Sequence, residues 1–160
     1  MTSSKTPPLI ELNGIRLAAC NVQSAEPELG EFMVRLTMNR NSQVVSLEEG
    51  GQFLVATEFQ LALSPEERLD AVFLQVIARF HMAYQLPPDS TLKAREDLLP
   101  FAESTAMFQV WPYWRELASA MVARMGYPRV EIPVMALGRD LSQEGWRPVA
   151  QVATGTAAKA

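Results

Sequence analysis

The sequence predicts an α+β fold: a four-stranded antiparallel sheet with a long, kinked helix packed on one face. Three observations lead there. Before Pro87, apolar and polar residues alternate with a period of two in several stretches, the spacing of strands with one apolar face. After Leu92, apolar residues recur at three- and four-residue steps, the spacing of an amphipathic helix. Pro and Gly divide the two regimes into pieces of element length. Strands adjacent in sequence usually pair, so the sheet is antiparallel, and the helix must bury its apolar stripe on it.

The elements follow in order. Residues 1–8 are polar and end in Pro7–Pro8, which reads as a flexible arm ahead of a single domain over 9–137. Leu9 to Ser24 carries Ile10, Leu12, Ile15, Leu17 and Val22, a strand with a bulge or bend at Asn13–Gly14. Pro27, Gly30 and their acidic neighbours make a loop. Phe32, Val34, Leu36 and Met38 then alternate with Met33, Arg35, Thr37 and Asn39 in a second strand. Asn39 to Gly51 reads as a connection holding at most a short strand at Val44–Leu47. The cleanest alternation comes next, with Phe53, Val55, Phe59, Leu61 and Leu63 on one face and Gln52, Glu58 and Gln60 on the other. Ser64-Pro65-Glu66-Glu67 has the form of a capping box, predicting one helical turn between strands.

Ala71 to Leu86 is the last strand. Val72, Leu74, Val76, Ala78, Phe80, Met82 and Tyr84 share one face; Phe73, Gln75, Ile77, Arg79, His81 and Ala83 share the other. That second face is only half polar, which predicts partial cover by another subunit or a ligand. Within Leu92–Met125, Asp97 is placed to cap a helix whose first turn holds Pro100. Its stripe is Phe101, Met107, Phe108, Trp111, Trp114, Leu117, Ala118, Met121, Val122 and Met125. Pro112 lacks an N–H and opposes the carbonyl of Phe108, which predicts a kink or restart there. Gly126 and Pro128 end the helix, Val130–Val134 is short and extended, and residues 138–160 read as a mobile tail.

Composition narrows the function. The chain has 160 residues, one domain's worth at about 150 per domain. One cysteine, Cys20, removes internal disulfides and CxxC metal sites, and one histidine, His81, removes multi-histidine sites. A net charge of −4 without a basic run is a poor match to nucleic acid. The start of the chain lacks the apolar core of a secretory signal and no stretch is long enough to span a bilayer, so the expected location is the cytoplasm. No cofactor, metal or catalytic residue is expected: Gly-rich phosphate loops, HExxH pairs and GxSxG elbows are absent from the sequence. His81 reads as an exposed or interface histidine, Cys20 as a buried structural thiol, and Arg115–Glu116 as a solvated or interface ion pair. Eight methionines are an excess; methionine fills irregular cores and also lines adaptable binding surfaces.

The helix and its exit carry a resemblance. Val110-Trp111-Pro112-Tyr113-Trp114-Arg115-Glu116 is followed after four residues by Met121-Val122-Ala123-Arg124-Met125-Gly126-Tyr127-Pro128, then by Val130-Glu131-Ile132-Pro133-Val134. This run of about 25 residues resembles the SecB family of protein-export chaperones, in which an aromatic-Pro-Tyr-x-Arg-Glu stretch precedes a Met-Val-x-Arg run, a Gly and an aromatic-Pro pair. The resemblance implies a SecB-like sheet with helices on one side and a dimer of dimers. It implies an ATP-independent holdase that binds unfolded client polypeptides and serves protein translocation through the SecA motor. Groove residues on this reading are Phe32, Met33, Trp111, Trp114 and Met135, whereas Met107, Met121 and Met125 belong to core or subunit interface.

Departures qualify what is implied. Positions that are acidic in SecA-docking members match Ala19, Gln23 and Gln75 here, none of them charged. A SecB-like chaperone dedicated to a toxin–antitoxin pair, with an aggregation-prone antitoxin as client, is therefore the principal alternative. A small-ligand pocket between a curved sheet and a helix, or a purely structural oligomerisation domain, are the readings from other classes.

Overall fold

Two long edge strands and one diagonal helix define the architecture. The computed structural model describes residues 9–25, 34–68, 70–127 and 130–132, with the side chains of 34–37 left aside. The arm at 1–8, the loop through Pro27 and Gly30, and the tail at 138–160 lie outside these residues. β1 (Glu11–Ser24), β2 (Val34–Leu47), β3 (Gln52–Pro65) and β4 (Leu74–Gln85) form one antiparallel sheet in the order β1-β4-β3-β2. A single helical run from Glu96 to Arg124 follows.

β1 shows how spacing becomes geometry. Its inward residues Leu12, Ile15, Leu17, Cys20 and Val22 are separated by steps of three and two, and a plain strand would scatter them over both faces. Register shifts at Asn13, where the sequence predicts a bulge, and at Ala18 each absorb one residue. Leu12, Ile15, Leu17, Cys20 and Val22 therefore oppose Tyr84, Met82, Phe80, Ala78 and Val76, all on the helix side. As an edge strand β1 stays open: Leu17 is 46% exposed, and Cys20 is exposed rather than the buried thiol expected. Its neighbours cover one side only.

β2 departs from the expectation of a strand, a connection and a short second strand. It runs unbroken for 14 residues, with Asn39, Arg40, Asn41, Ser42 and Gln43 paired to Gln60, Phe59, Glu58, Thr57 and Ala56. The helix-side positions here are Arg40 and Ser42, which breaks the apolar alternation without breaking the backbone ladder. Ser42 and Thr57 are both buried and share a hydroxyl–hydroxyl hydrogen bond of 2.8 Å, so the polar inward position is satisfied.

The capping box is also overridden. β3 continues through Pro65, with Ser64 opposite Arg35 and Pro65 opposite Val34, and Glu66–Glu67 form a hydrogen-bonded turn instead of a helix. Strand pairing outweighs the local capping signal. The rest of β3 and β4 alternates as read: Phe53, Val55, Phe59, Leu61 and Leu63 are buried opposite Tyr84, Met82, Ala78, Val76 and Leu74.

The helix starts differently from the expectation and ends where it was expected. Asp97 does not cap it: its Oδ2 accepts the backbone N–H groups of Lys93 and Ala94, which precede it. A 3₁₀ turn (Glu96–Leu98) leads into Leu99–Phe101, then a π-helical stretch (Ala102–Ala106), then regular helix over Met107–Arg124. The Ser104 hydroxyl donates to the Pro100 carbonyl at 2.5 Å, competing with the backbone ladder inside the π stretch. No restart occurs at Pro112. That residue is exposed, so the Phe108 carbonyl it cannot satisfy lies on the solvent side of the helix. Gly126, at φ +84°, ends the helix with Tyr127 N–H donating to the Val122 carbonyl.

The helix crosses the sheet diagonally. At the β2–β3 hairpin end, Phe101 packs edge-on against Phe53 and Tyr84, and the early turns touch β2. At the other end, the Tyr127 hydroxyl donates to the Ala25 carbonyl and its ring meets Phe73 at the start of β4. Between them Trp111, Trp114 and Phe59 form the centre of the core.

Candidate polypeptide-binding surfaces

A diagonal helix on a rectangular sheet leaves two triangular areas of the inner face uncovered, one beside β1 and one beside β2. The two are treated differently.

Beside β1 the space is an open groove of about 300 Å³, lined by Ile15 and Leu17 of β1, Phe80 of β4, and Tyr113, Leu117, Ala120 and Met121 of the helix, with Glu116 and Arg124 completing the lining. Its lining is mainly apolar, Tyr113 is 52% exposed, and the edge of β1, unpaired among the described residues, runs alongside. An apolar groove next to a free strand edge can accept a polypeptide by both side-chain burial and main-chain pairing.

Beside β2 the space is filled by the chain itself. Val130 and Ile132 are buried, the Ser119 hydroxyl donates to the Val130 carbonyl at 3.1 Å, and Arg115 Nε donates to the Ile132 carbonyl at 2.6 Å. Two residues of this segment thus match four residues of helix, about 6 Å of rise, which is the pitch of extended chain. Arg115 therefore holds the segment to the helix, whereas the sequence suggested a solvated or interface ion pair with Glu116. Sequence periodicity had no means of finding this role, because both bonds go to backbone carbonyls far along the chain. Phe108, 39% exposed, stands on the same flank of the helix.

The groove residues named from the sequence divide accordingly. Trp114 is fully buried with its ring stacked on Phe59, and Trp111 is 7% exposed, packed edge-on against the same ring. Both belong to the core between helix and sheet and line no groove among the described residues. Phe32, Met33 and Met135 lie outside the described residues. Met107 is core as expected, while Met121 is half-buried in the β1 groove and Met125 is 42% exposed.

The opposite face of the sheet carries the remaining polar cluster. Arg16 pairs across strands with His81, and Ala19 with Arg79; Gln23 directly opposes Gln75. Arg16 Nη2 donates to His81 Nδ1 at 3.1 Å, and Arg79 donates from Nε and Nη2 to one oxygen of Glu58 at 3.2 and 2.8 Å. Partial burial, and then the charges of Arg16 and Arg79, hold the His81 imidazole below its usual value. No nucleophile stands beside His81 among these contacts. Among the described residues no group of three or more His, Cys, Asp or Glu could hold a metal ion, and no helix is long and apolar enough to cross a membrane.

No protein-family model matches the chain, and no curated protein matches it in sequence. Among solved structures it is similar to the Mycobacterium tuberculosis Rv1957 SecB-like chaperone, determined in complex with a ChAD peptide from the Rv1956 HigA1 antitoxin. The identity is 15%, the match covers 79% of this chain and 88% of that one, and the TM-score is 0.63, so what the two share is the SecB-like α+β fold.

Proposed function

We propose that this chain is a SecB-like chaperone of the holdase kind, which binds an unfolded or aggregation-prone polypeptide without nucleotide. The observation that carries the reading is the inner face of the sheet, where the diagonal helix leaves an open apolar groove beside β1 and an exposed Phe108 on its other flank, between strand edges that are unpaired among the described residues. A passive binder needs adaptable apolar walls and backbone edges, and it needs no general base.

The client surface on this reading lies on the β2 flank. Phe32 and Met33 directly precede Val34 of β2, and Met135 is three residues beyond Ile132, which Arg115 anchors to the helix. The β1 groove and edge suit a second copy of the chain, which would make the protein a homo-oligomer of the dimer-of-dimers kind.

Two features favour a dedicated client, such as an antitoxin, over service to the SecA export motor. The similar solved chaperone holds an antitoxin peptide. The positions matching SecA-docking acids, Ala19, Gln23 and Gln75, are uncharged and stand on the same face as Arg16 and Arg79. Capture of the polypeptides bound to the full-length protein in its own cells tests the choice. One dominant small partner fits the dedicated reading, a mixture of secretory precursors fits export, and no bound polypeptide contradicts both.

A further inference from the structure

We propose that the open face of the sheet, opposite the helix, docks an acidic polypeptide segment where Arg16, His81 and Arg79 stand together on β1 and β4. The cross-strand register places these three side chains as neighbours, with Glu58 of β3 the one carboxylate bonded into the group among the described residues. That carboxylate is already committed: both bonds from Arg79 fall on its Oε2. Among the described residues Arg16 is bonded only to an imidazole nitrogen, which accepts from it, so the ring carries its own proton on Nε2 and presents a further N–H. Two guanidinium groups and an imidazole N–H thus surround one occupied carboxylate, a local positive excess in a chain of net charge −4. The lowered basicity of His81, caused in part by Arg16 and Arg79, reports the same positive field.

The surroundings point to a peptide as the bearer of the incoming carboxylate. Asn21, Gln23, Gln60 and Gln75 share this face beside the cluster. Side-chain amides both donate and accept, so they can pair with the main chain of a segment lying over the strands while the arginines fix its acidic residue. Half-buried Ile77 between them offers a small apolar contact. A nucleic acid, by contrast, needs several cations spaced along its phosphates, and only two arginines stand here.

The test uses the full-length protein and a short fluorescein-labelled peptide of alternating Glu and Ser, read by anisotropy at low salt. Binding is expected, weakened about fivefold by Arg16→Gln and partly restored by Arg16→Lys, with Arg95→Gln, exposed just ahead of the helix, leaving it unchanged. The matched Gln–Ser peptide should bind more weakly than the acidic one. Equal loss in Arg95→Gln, equal binding of the Gln–Ser peptide, absence of binding, or capture of a single-stranded DNA oligonucleotide in place of the peptide would each overturn the proposal. Suppression of client aggregation by Arg16→Gln stays at the level of the unaltered protein, which separates this surface from the client-binding one.

Discussion

The indole of Trp114 lies flat on the ring of Phe59, their centroids 5.1 Å apart and their planes within 7° of parallel. This stack joins the middle of the long helix to the middle of β3, and both residues are almost wholly buried. Trp114 Nε1 has no hydrogen-bond partner among the described residues. The ring therefore contributes through packing while its one polar atom opposes burial.

Replacing Trp114 by Ala removes the stack and leaves a cavity between helix and sheet, at an expected cost of about 3–5 kcal/mol. Trp114→Phe keeps a ring on Phe59 and deletes the unsatisfied donor, so its expected cost is smaller, about 1 kcal/mol. Urea unfolding of both variants measures the difference. Equal losses would show that a ring stacked on Phe59 contributes nothing to stability.

The buried Ser42–Thr57 pair offers a cleaner separation of terms. Thr57→Val leaves the Ser42 hydroxyl without its partner and should destabilise by about 1–2 kcal/mol. Adding Ser42→Ala should recover most of that loss, because no orphaned hydroxyl then remains. A double-mutant cycle on urea midpoints reads the coupling directly. Additive losses would mean that the pair is not coupled.

That pair also marks where the sequence was legible and where it was not. Phe53 to Leu63 and Leu74 to Tyr84 announce their strands because every inward position is apolar or small, apart from Thr57. The step of three between Leu12 and Ile15 announces the bulge at Asn13 in the same way. At Arg40 and Ser42 the inward positions of β2 turn polar, and the pattern fails although the ladder with β3 is intact. Ser64–Glu67 fails for the converse reason: a good local helix start loses to pairing with the edge strand. The candidate surfaces were legible in part. Helical spacing identifies Trp111 and Trp114 as one stripe, yet it cannot tell a groove wall from the core beneath it. Arg115 holding Ile132, and Arg16 beside His81, join residues 17 and 65 positions apart, beyond the reach of any periodicity.

His81 is the chain's one histidine, so its titration can be followed without ambiguity by NMR. Its pKa should lie below 6.5, and Arg16→Gln should move it upward by removing one of the two neighbouring positive charges. The folded state binds fewer protons than the unfolded chain as pH falls through about 6.5. Folding stability should therefore decline on acidification through that range. An unchanged value in Arg16→Gln would contradict the contact.

Tyr84 works at the other end of the scale. Burial pushes its phenol well above the usual value of 10.0, and its hydroxyl donates to Gln109 Oε1 at 2.7 Å. The unfolded chain releases this proton near pH 10 while the folded chain retains it, so stability falls as pH rises beyond about 10. Tyr84→Phe should start about 1 kcal/mol less stable from the lost bond and show a shallower alkaline decline. Urea midpoints between about pH 8 and about pH 11 supply the comparison. Parallel declines in the two proteins would refute the assignment to Tyr84.

The central claim is that this fold binds unfolded polypeptide passively, and light scattering from a client diluted out of denaturant tests it most directly. With the purified protein present at a sub-stoichiometric ratio and no nucleotide, the account predicts delayed aggregation. Aggregation at the same rate with and without the protein would contradict it.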